Sequence, residues 1–358
     1  MNTPILRLLS TVKHYATKNS TPLKLNYVCN YGKKKCPKTI ISQSVFLHKE
    51  LPIRLAKRVV DLENLPYDLS KTTPMQNVYE LYVKSFDKIL TQPEPTTEEQ
   101  SKQFTNIMEN VKEDAKDIEF HISEAINLYK NENKNQKKFN TELQYIDNIL
   151  DDFYTSRIGI RFLIGQHTSV QRESRSESSI GIIDSKCEPH KIIKSAASIV
   201  EEMVDNIYLQ DLKFEFTFVE KDNEFLYIPA HLHYIILEIL KNAGKATAEF
   251  NNCSKPIKIK TSVSKNDFII KVSDRGGGFS REIMNTIFSF SYSTAGKNRN
   301  DRELQLAGYG HGLGLSRIYA RYFGGDLMIC PVEGIGTDVY IYLNRFGDKG
   351  ENVADNKI

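Results

Sequence analysis

The amino-acid sequence predicts an α + α/β protein, a helical bundle followed by a unit of mixed strands and helices, and three observations carry that expectation. Apolar residues recur at helical spacing between residues 53 and 208. Beyond them, Ile257-Lys-Ile259-Lys and Phe268-Ile-Ile270-Lys-Val272 alternate as strands do. Three motifs then fall in order along the second part: Glu238-Ile-Leu-Lys-Asn242, Asp274-Arg-Gly-Gly-Gly278 and Gly308-Tyr-Gly-His-Gly-Leu-Gly314. At 358 residues, 40% hydrophobic and 26% charged, the chain is ordinary for a globular protein and long enough for two cores. No run of about eighteen apolar residues occurs, which argues against an integral membrane protein.

The first element is set apart by charge. Residues 1–49 hold nine Lys or Arg and no Asp or Glu; the chain totals +3, so removing this +9 leaves −6 for the remainder. With hydroxyl residues and the apolar group Ile5, Leu6, Leu8 and Leu9, residues 1–40 suit a mitochondrial transit segment. A nucleic-acid arm built on Lys33-Lys-Lys35 is the competing reading, which the acid-free length disfavours. The five cysteines are scattered without zinc spacing, and reduced thiols are expected.

Residues 41–208 read as a four-helix bundle. Val78, Leu81 and Tyr82 mark one helix; Ile107, Val111, Ile118, Ile122, Ile126 and Tyr129 mark the next; Leu143, Ile146, Leu150, Phe153 and Ile158 follow. Pro93 and Pro95 divide the first two, the polar run 130–138 divides the second and third, and the fourth is expected near Lys191 to Ile207.

Residues 209–345 carry the chemistry, and 346–358 read as a disordered tail. On a helix, Glu238, Lys241, Asn242 and Lys245 share one face. A carboxylate, an amide oxygen and two ammonium groups there suit a metal-nucleotide, although the stripe taken alone reads more readily as a solvated face with an i,i+3 ion pair. Asp274 stands at a strand end, where it can accept from an adenine amino group while Gly276, Gly277 and Gly278 let backbone approach a ligand; a tight turn capped by aspartate explains the same residues. Alternating glycines before a helix that begins near Leu315 offer free amides to phosphate. The spacing matches neither the dinucleotide fingerprint nor the Walker pattern.

In combination these motifs, with Gly336-Thr337-Asp338 closing the set, resemble the ATP domain shared by histidine kinases, heat-shock chaperones, mismatch-repair ATPases and gyrases. Phe46-Leu-His-Lys-Glu-Leu-Pro-Ile-Arg-Leu55, Phe153-Tyr-Thr-Ser-Arg-Ile-Gly-Ile-Arg161, Ser273-Asp-Arg-Gly-Gly-Gly278, Tyr292-Ser-Thr-Ala295 and Arg317-Ile-Tyr-Ala-Arg-Tyr-Phe-Gly-Gly-Asp326 narrow the likeness. From about residue 44 to 343 the chain resembles the mitochondrial protein kinases of 2-oxo acid dehydrogenase complexes, directed at pyruvate or at branched-chain dehydrogenase.

The resemblance implies an α/β sandwich ATP domain with a mixed sheet. It implies a serine/threonine kinase that inactivates the decarboxylase component of such a complex, with ATP and Mg2+, K+ as a further family cofactor, and the mitochondrial matrix as compartment. Glu238 matches the general base and Asn242 the magnesium ligand. Lys241, Lys245, Ser293, Thr294 and the box Gly308, Tyr309, Gly310, His311, Gly312 and Leu313 match phosphate and ribose contacts. Asp274, Gly276, Gly278 and Thr337 match the adenine side. The polar segment Gly296 to Gln305 reads as a lid over ATP. The bundle would dock the lipoyl domain of the acyltransferase core near Phe46, Leu51 and Pro52, positions that core packing explains equally. A homodimer is implied; nucleic acid and transmembrane segments are not.

Three positions depart from the family. Tyr234 replaces a histidine one turn before Glu238, Gly244-Lys245 replaces a Met-Arg pair, and Gly314 replaces a proline. A glycine inside the helix costs roughly 1 kcal/mol relative to alanine and brings its rigidity into question. A sensor-type histidine kinase is suggested by Gly312-Leu-Gly314. Yet Thr168-Ser-Val follows His167, where a phosphoacceptor would precede an acid and proline, so His167 reads as a structural histidine first and as a hydrogen-bonding or phosphate-sensing one second, ahead of a phosphorylated one. A chaperone-like clamp would need further domains, and only fifteen residues follow Leu343. The substrate stays open: Tyr234 and the absence of Trp favour the branched-chain branch, Gly165-Gln-His167 and Gly181 to Cys187 the pyruvate branch, with pyruvate dehydrogenase slightly ahead.

Overall fold

The computed structural model describes residues 3–33, 36–133, 139–172, 178–219, 225–291 and 310–354. The chain divides into two compact units. One comprises Met1–Leu23, Val28–Arg175 and Val353–Ile358; the other comprises Lys24–Tyr27 and Ser176–Asn352.

The first unit is helical. Its elements are α1 (Thr3–Ala16), α2 (Leu25–Lys33, of which the first residues are counted with the other unit), α3 (Pro37–Glu63), α4 (Tyr67–Ser70), α5 (Thr73–Leu90), α6 (Glu98–Asp114), α7 (Ile118–Asn133) and α8 (Phe139–Gln171). Prolines in the first turn start α3 and α5, where the missing N–H is no loss. Thr97 caps α6 by accepting from Gln100 N at 3.3 Å, and Gln100 Oε1 reaches back to Thr96 N at 2.8 Å. The core joins Leu51, Leu55 and Val59 of α3 to Tyr82 and Phe86 of α5, Ile122 of α7 and Phe153 of α8; of these, helical periodicity selects Tyr82, Ile122 and Phe153. Leu51 and Pro52 are buried within this core, whereas Phe46 is half-exposed.

Two expectations change here. Among its described residues the segment 1–40, read as a transit segment, forms helices: α1 packs on α3, and Val12, Leu25 and Cys29 are buried. Its apolar residues, spaced for a helix face, find a core to cover. The helix foreseen near Lys191 to Ile207 forms as α9 (Pro189–Tyr208), but it belongs to the second unit, so the division falls at 176 rather than 208. The cause is its stripe of Ile193, Ala196, Ala197, Val200 and Val204, which packs on the next helix, α10 (Pro229–Glu249).

The second unit holds a small hairpin, β1 (Ser179–Ile180) with β2 (Ile183–Asp184), and a five-stranded sheet. Its strands are β3 (Phe214–Thr217), β4 (Ile257–Val263), β5 (Asp267–Ser273), β6 (Asp326–Val332) and β7 (Gly336–Asn344), in the order β3-β4-β5-β7-β6. β3 and β4 run parallel and the other pairs antiparallel, so the sheet is mixed. One face, with Ile257, Ile259, Phe268, Ile270, Val272, Val339 and Ile341, is buried. α10 and α11 (Gly312–Tyr322) contact the sheet, α9 backs α10, and the unit is an α/β sandwich. The expected disordered tail is ordered through 354: Tyr322 Oη donates to the buried Glu351 at 2.8 Å, and Asn352 N donates to Tyr322 O at 2.8 Å.

Among the described residues no helix is long and apolar enough to cross a membrane.

Candidate nucleotide site

α10 organises the site. Pro229 opens it, and Leu232, Ile235, Ile236, Ile239, Leu240 and Ala243 bury one side, leaving Glu238, Asn242 and Lys245 toward the other. The stripe behaves as its spacing requires: Lys241 Nζ lies 2.7 Å from Glu238 Oε1, with the two side chains only 9% and 15% exposed. The ion-pair reading of this stripe is therefore correct for Glu238 and Lys241. It does not exhaust the stripe, because the Asn242 side chain is exposed and Lys245 reaches Glu249 only at 3.8 Å.

Glu238 faces the start of α11. A Cβ placed on Gly312 would collide with Glu238 Oε2, so glycine at 312 leaves the room that this carboxylate occupies. Gly310, with φ +86°, turns the chain into that N-terminus. Among the described residues no acceptor meets the N–H groups of Gly312, Leu313 and Gly314, which is the state of an anion-binding helix start. His311 is buried edge-on against Phe290. It supports the turn rather than presenting its ring to solvent. Gly314 allows a similar approach to Phe288 O, which a Cβ would meet at 2.7 Å; that contact accounts for glycine at this position.

The second motif packs against the far half of α10. A Cβ on Gly276 would meet Ala246 and the Thr247 N, so the loop after β5 lies directly on the helix. Asp274 is buried, and its Oδ1 accepts from Gly276 N at 2.9 Å and Thr337 N at 3.1 Å. Burial pushes its carboxyl above the ordinary value, opposed by those two amide donors. Among the described residues no donor meets Oδ2. Asp274 is thus both the turn cap and an acceptor with a lone pair to spare. Gly278 packs on the β6–β7 turn, where a Cβ would meet Val332 O.

The structure therefore brings Glu238, Lys241 and Gly312 together, and Asp274, Gly276, Gly278 and Thr337 together, with α10 between the two groups. Ser293, Thr294, Gly308, Tyr309 and the lid segment 296–305 lie outside the described residues. Gly336, of the closing Gly336-Thr337-Asp338 motif, packs on Asp274 O, whereas sequence reasoning missed the β6–β7 turn just before it, where Gly334 N donates to Gly277 O at 2.7 Å. The signal was available in the glycine pair of Glu333-Gly-Ile-Gly336. It also missed Tyr319 of α11, whose ring lies 4.8 Å from that of Tyr234 and 4.7 Å from that of His231. Gly244 has a packing reason: a Cβ there would meet Val200 Cγ1 of α9 at 2.9 Å, so the glycine sits at the closest approach of two helices.

Among the described residues no three His, Cys, Asp or Glu side chains converge on a possible metal. A cation here would take oxygen from Asn242 and from phosphate, the arrangement magnesium accepts.

The chain is similar to known proteins over most of its length. Residues 22–184 match the family described as mitochondrial branched-chain alpha-ketoacid dehydrogenase kinase, and residues 227–346 match the histidine kinase-, DNA gyrase B-, and HSP90-like ATPase family. The mitochondrial pyruvate dehydrogenase (acetyl-transferring) kinase of Arabidopsis thaliana is 34% identical over 96% of this chain and 96% of its own. Isozyme 4 of Homo sapiens is 32% identical over 94% of this chain and 84% of its own, and the Drosophila melanogaster kinase is 32% identical over 97% and 87%.

Proposed function

Because the chain belongs to the family of mitochondrial 2-oxo acid dehydrogenase kinases, we propose that it transfers the γ-phosphoryl of ATP to a serine of the decarboxylase component of such a complex and thereby inactivates it. Pyruvate dehydrogenase is the favoured target, since the similar kinases named above are pyruvate dehydrogenase kinases. The observation that carries the reading is the approach of Glu238 to the start of α11, which sets a proton acceptor beside free amides suited to phosphate.

In this reading Asp274 Oδ2 accepts from the adenine amino group, and Thr337 keeps that carboxylate in place. The α11 amides and the Lys241 and Lys245 ammonium groups hold phosphate oxygens. Asn242 would hold magnesium, which supplies charge neutralisation across the phosphates. Glu238 takes the serine proton as the new serine–phosphorus bond forms and the bond to the ADP oxygen breaks. Gly312 keeps space for the carboxylate. The Lys241 ammonium has three N–H donors, so it can hold a phosphate oxygen while it keeps its contact with Glu238 Oε1.

The N-terminal charge supports import, and the matrix is the compartment where such complexes would be met. Docking on a lipoyl domain through the helical unit, a homodimeric state and a K+ requirement belong to the same proposal. A branched-chain target is the second reading, favoured by the family match over residues 22–184 and by Tyr234.

Incubation of the purified chain and labelled ATP with each dehydrogenase complex tests the proposal. Acid-stable phosphate on serine of the pyruvate enzyme is expected. Label confined to the branched-chain enzyme moves the target, and acid-labile phosphate on histidine overturns the serine-kinase reading.

A further inference from the structure

The stripe of α10 that carries Lys245, Asn242 and Glu238 does not stop at the carboxylate. Helical spacing continues it toward the N-terminus through Tyr234 and His231. Both side chains are half-buried, as is Tyr319 of α11. The two helices pack in opposite directions along this seam: Gly312 meets Glu238, and about two turns later Tyr319 meets Tyr234 and His231. The Tyr319 ring lies 4.8 Å from that of Tyr234, inclined by 45°, and 4.7 Å from that of His231, inclined by 64°. Tilted and edge-on contacts of this kind join the three rings into one block.

The nucleotide leaves this end of α10 vacant. In the proposed binding mode, Asp274 and Gly276 receive the adenine end, and their loop lies on α10 at Ala246 and Thr247. The phosphates then run back along the helix past Asn242, which puts the reacting phosphorus at Glu238. An acceptor serine has to reach Glu238 from a direction that the nucleotide does not occupy, and along α10 that direction is from Tyr234. Residues 229–237 are Pro-Ala-His-Leu-His-Tyr-Ile-Ile-Leu, without a Lys, Arg, Asp or Glu. The approach is therefore aromatic and apolar rather than charged.

Resting on the kinase reading of this same site, we propose that Tyr234, backed by Tyr319 and His231, is the subsite for the protein substrate, and that it receives an apolar side chain two positions from the acceptor serine. The spacing sets the register. Tyr234 stands one turn before Glu238, about 6 Å along the helix axis. Two residues of extended chain span about 6.6 Å, and alternate side chains of such a chain point the same way. A serine turned toward Glu238 thus turns its second neighbour toward the Tyr234 ring. Base and subsite share one helix, so a misfit at Tyr234 carries the serine hydroxyl out of line with the carboxylate.

Steady-state phosphorylation of the purified decarboxylase component by the full chain tests the subsite, with KM measured separately for the protein substrate and for ATP. Tyr234→Ala should raise the protein-substrate KM by about tenfold or more, as loss of an aromatic anchor does, and leave that for ATP unchanged. Tyr234→Phe, which keeps the ring, should restore the parental value. Leu and Asp are then placed in the substrate two positions before the serine and, separately, two positions after it. The parent chain should favour Leu over Asp at one of these positions, and Tyr234→Ala should lose that preference. A preference for Asp, no preference at either position, or the same preference in Tyr234→Ala would overturn the proposal, as would an equal rise in the KM for ATP. A lowered melting temperature with both constants unchanged would also overturn it, since rings that serve only the helix seam give that result. Failure of the parent chain to label any serine refutes the kinase reading and the subsite with it, whereas parental transfer with an unchanged protein-substrate KM in Tyr234→Ala refutes the subsite alone.

Discussion

The carboxylate of Glu238 fills the space in which a side chain on Gly312 would begin. Residue 312 is therefore coupled to the base without bonding to it. Gly312→Ala should push the carboxylate out of line and lower phosphoryl transfer by about 10²-fold or more, the range of a lost general base, with nucleotide binding largely kept. Single-turnover transfer alongside equilibrium ATP binding separates the two effects.

Glu238→Gln preserves shape and removes the proton acceptor. It should lower turnover by roughly 10²- to 10⁴-fold with ATP affinity nearly unchanged. Transfer at parental rate would show that the 2.7 Å pair with Lys241 is only a helix-surface ion pair.

Asp274→Asn turns an acceptor into a mixed group while keeping a carbonyl for Gly276 N and Thr337 N. Loss of a buried charge-assisted hydrogen bond to the adenine amino group costs about 1.5–3 kcal/mol, so ATP binding should weaken by roughly tenfold to a hundredfold. An analogue lacking the amino group should show no such difference between the two proteins.

Gly244→Ala should destabilise the second unit by about 1 kcal/mol. The better helix propensity of alanine is outweighed by overpacking against Val200, Val204 and Leu212. Denaturant midpoints measure it; a stabilised variant would mean that α9 yields freely.

His167 gives the pH dependence. It is buried, and Nε2 lies 3.0 Å from both Thr105 Oγ1 and Gln171 Nε2, while Nδ1 meets no partner among the described residues. Burial lowers its pKa to about 4 from 6.5. The unfolded chain then binds more protons between those values, so stability is full above pH 6.5 and declines as pH falls toward 4, by about 3 kcal/mol in all. Replacement by Gln should flatten unfolding free energy over that window, and an unchanged slope would place the acid sensitivity elsewhere.

Much of this site was legible because the three motifs carry short-range geometry. Spacing of three on a helix already joins Glu238 to Lys241, and Asp274 at a strand end already implies a capped glycine turn. What the sequence concealed was long-range. Helical periodicity identified α9 without saying which core its stripe covers, and the decisive partner, Gly244, looked like a weakness in α10. Segment 1–40 was read from charge, which is silent about the burial of Val12, Leu25 and Cys29. The pairing of Lys260 with Lys271 depends on strand register, which alternation alone does not fix.

Since α9 presses on α10 at Gly244, a fragment starting at residue 209 would leave Ile239 and Leu240 on a helix stripped of its neighbour, and such a fragment should self-associate during expression. One that starts at residue 176 retains the cover and should stay dispersed, so the smallest useful piece of this enzyme begins nearly forty residues before β3.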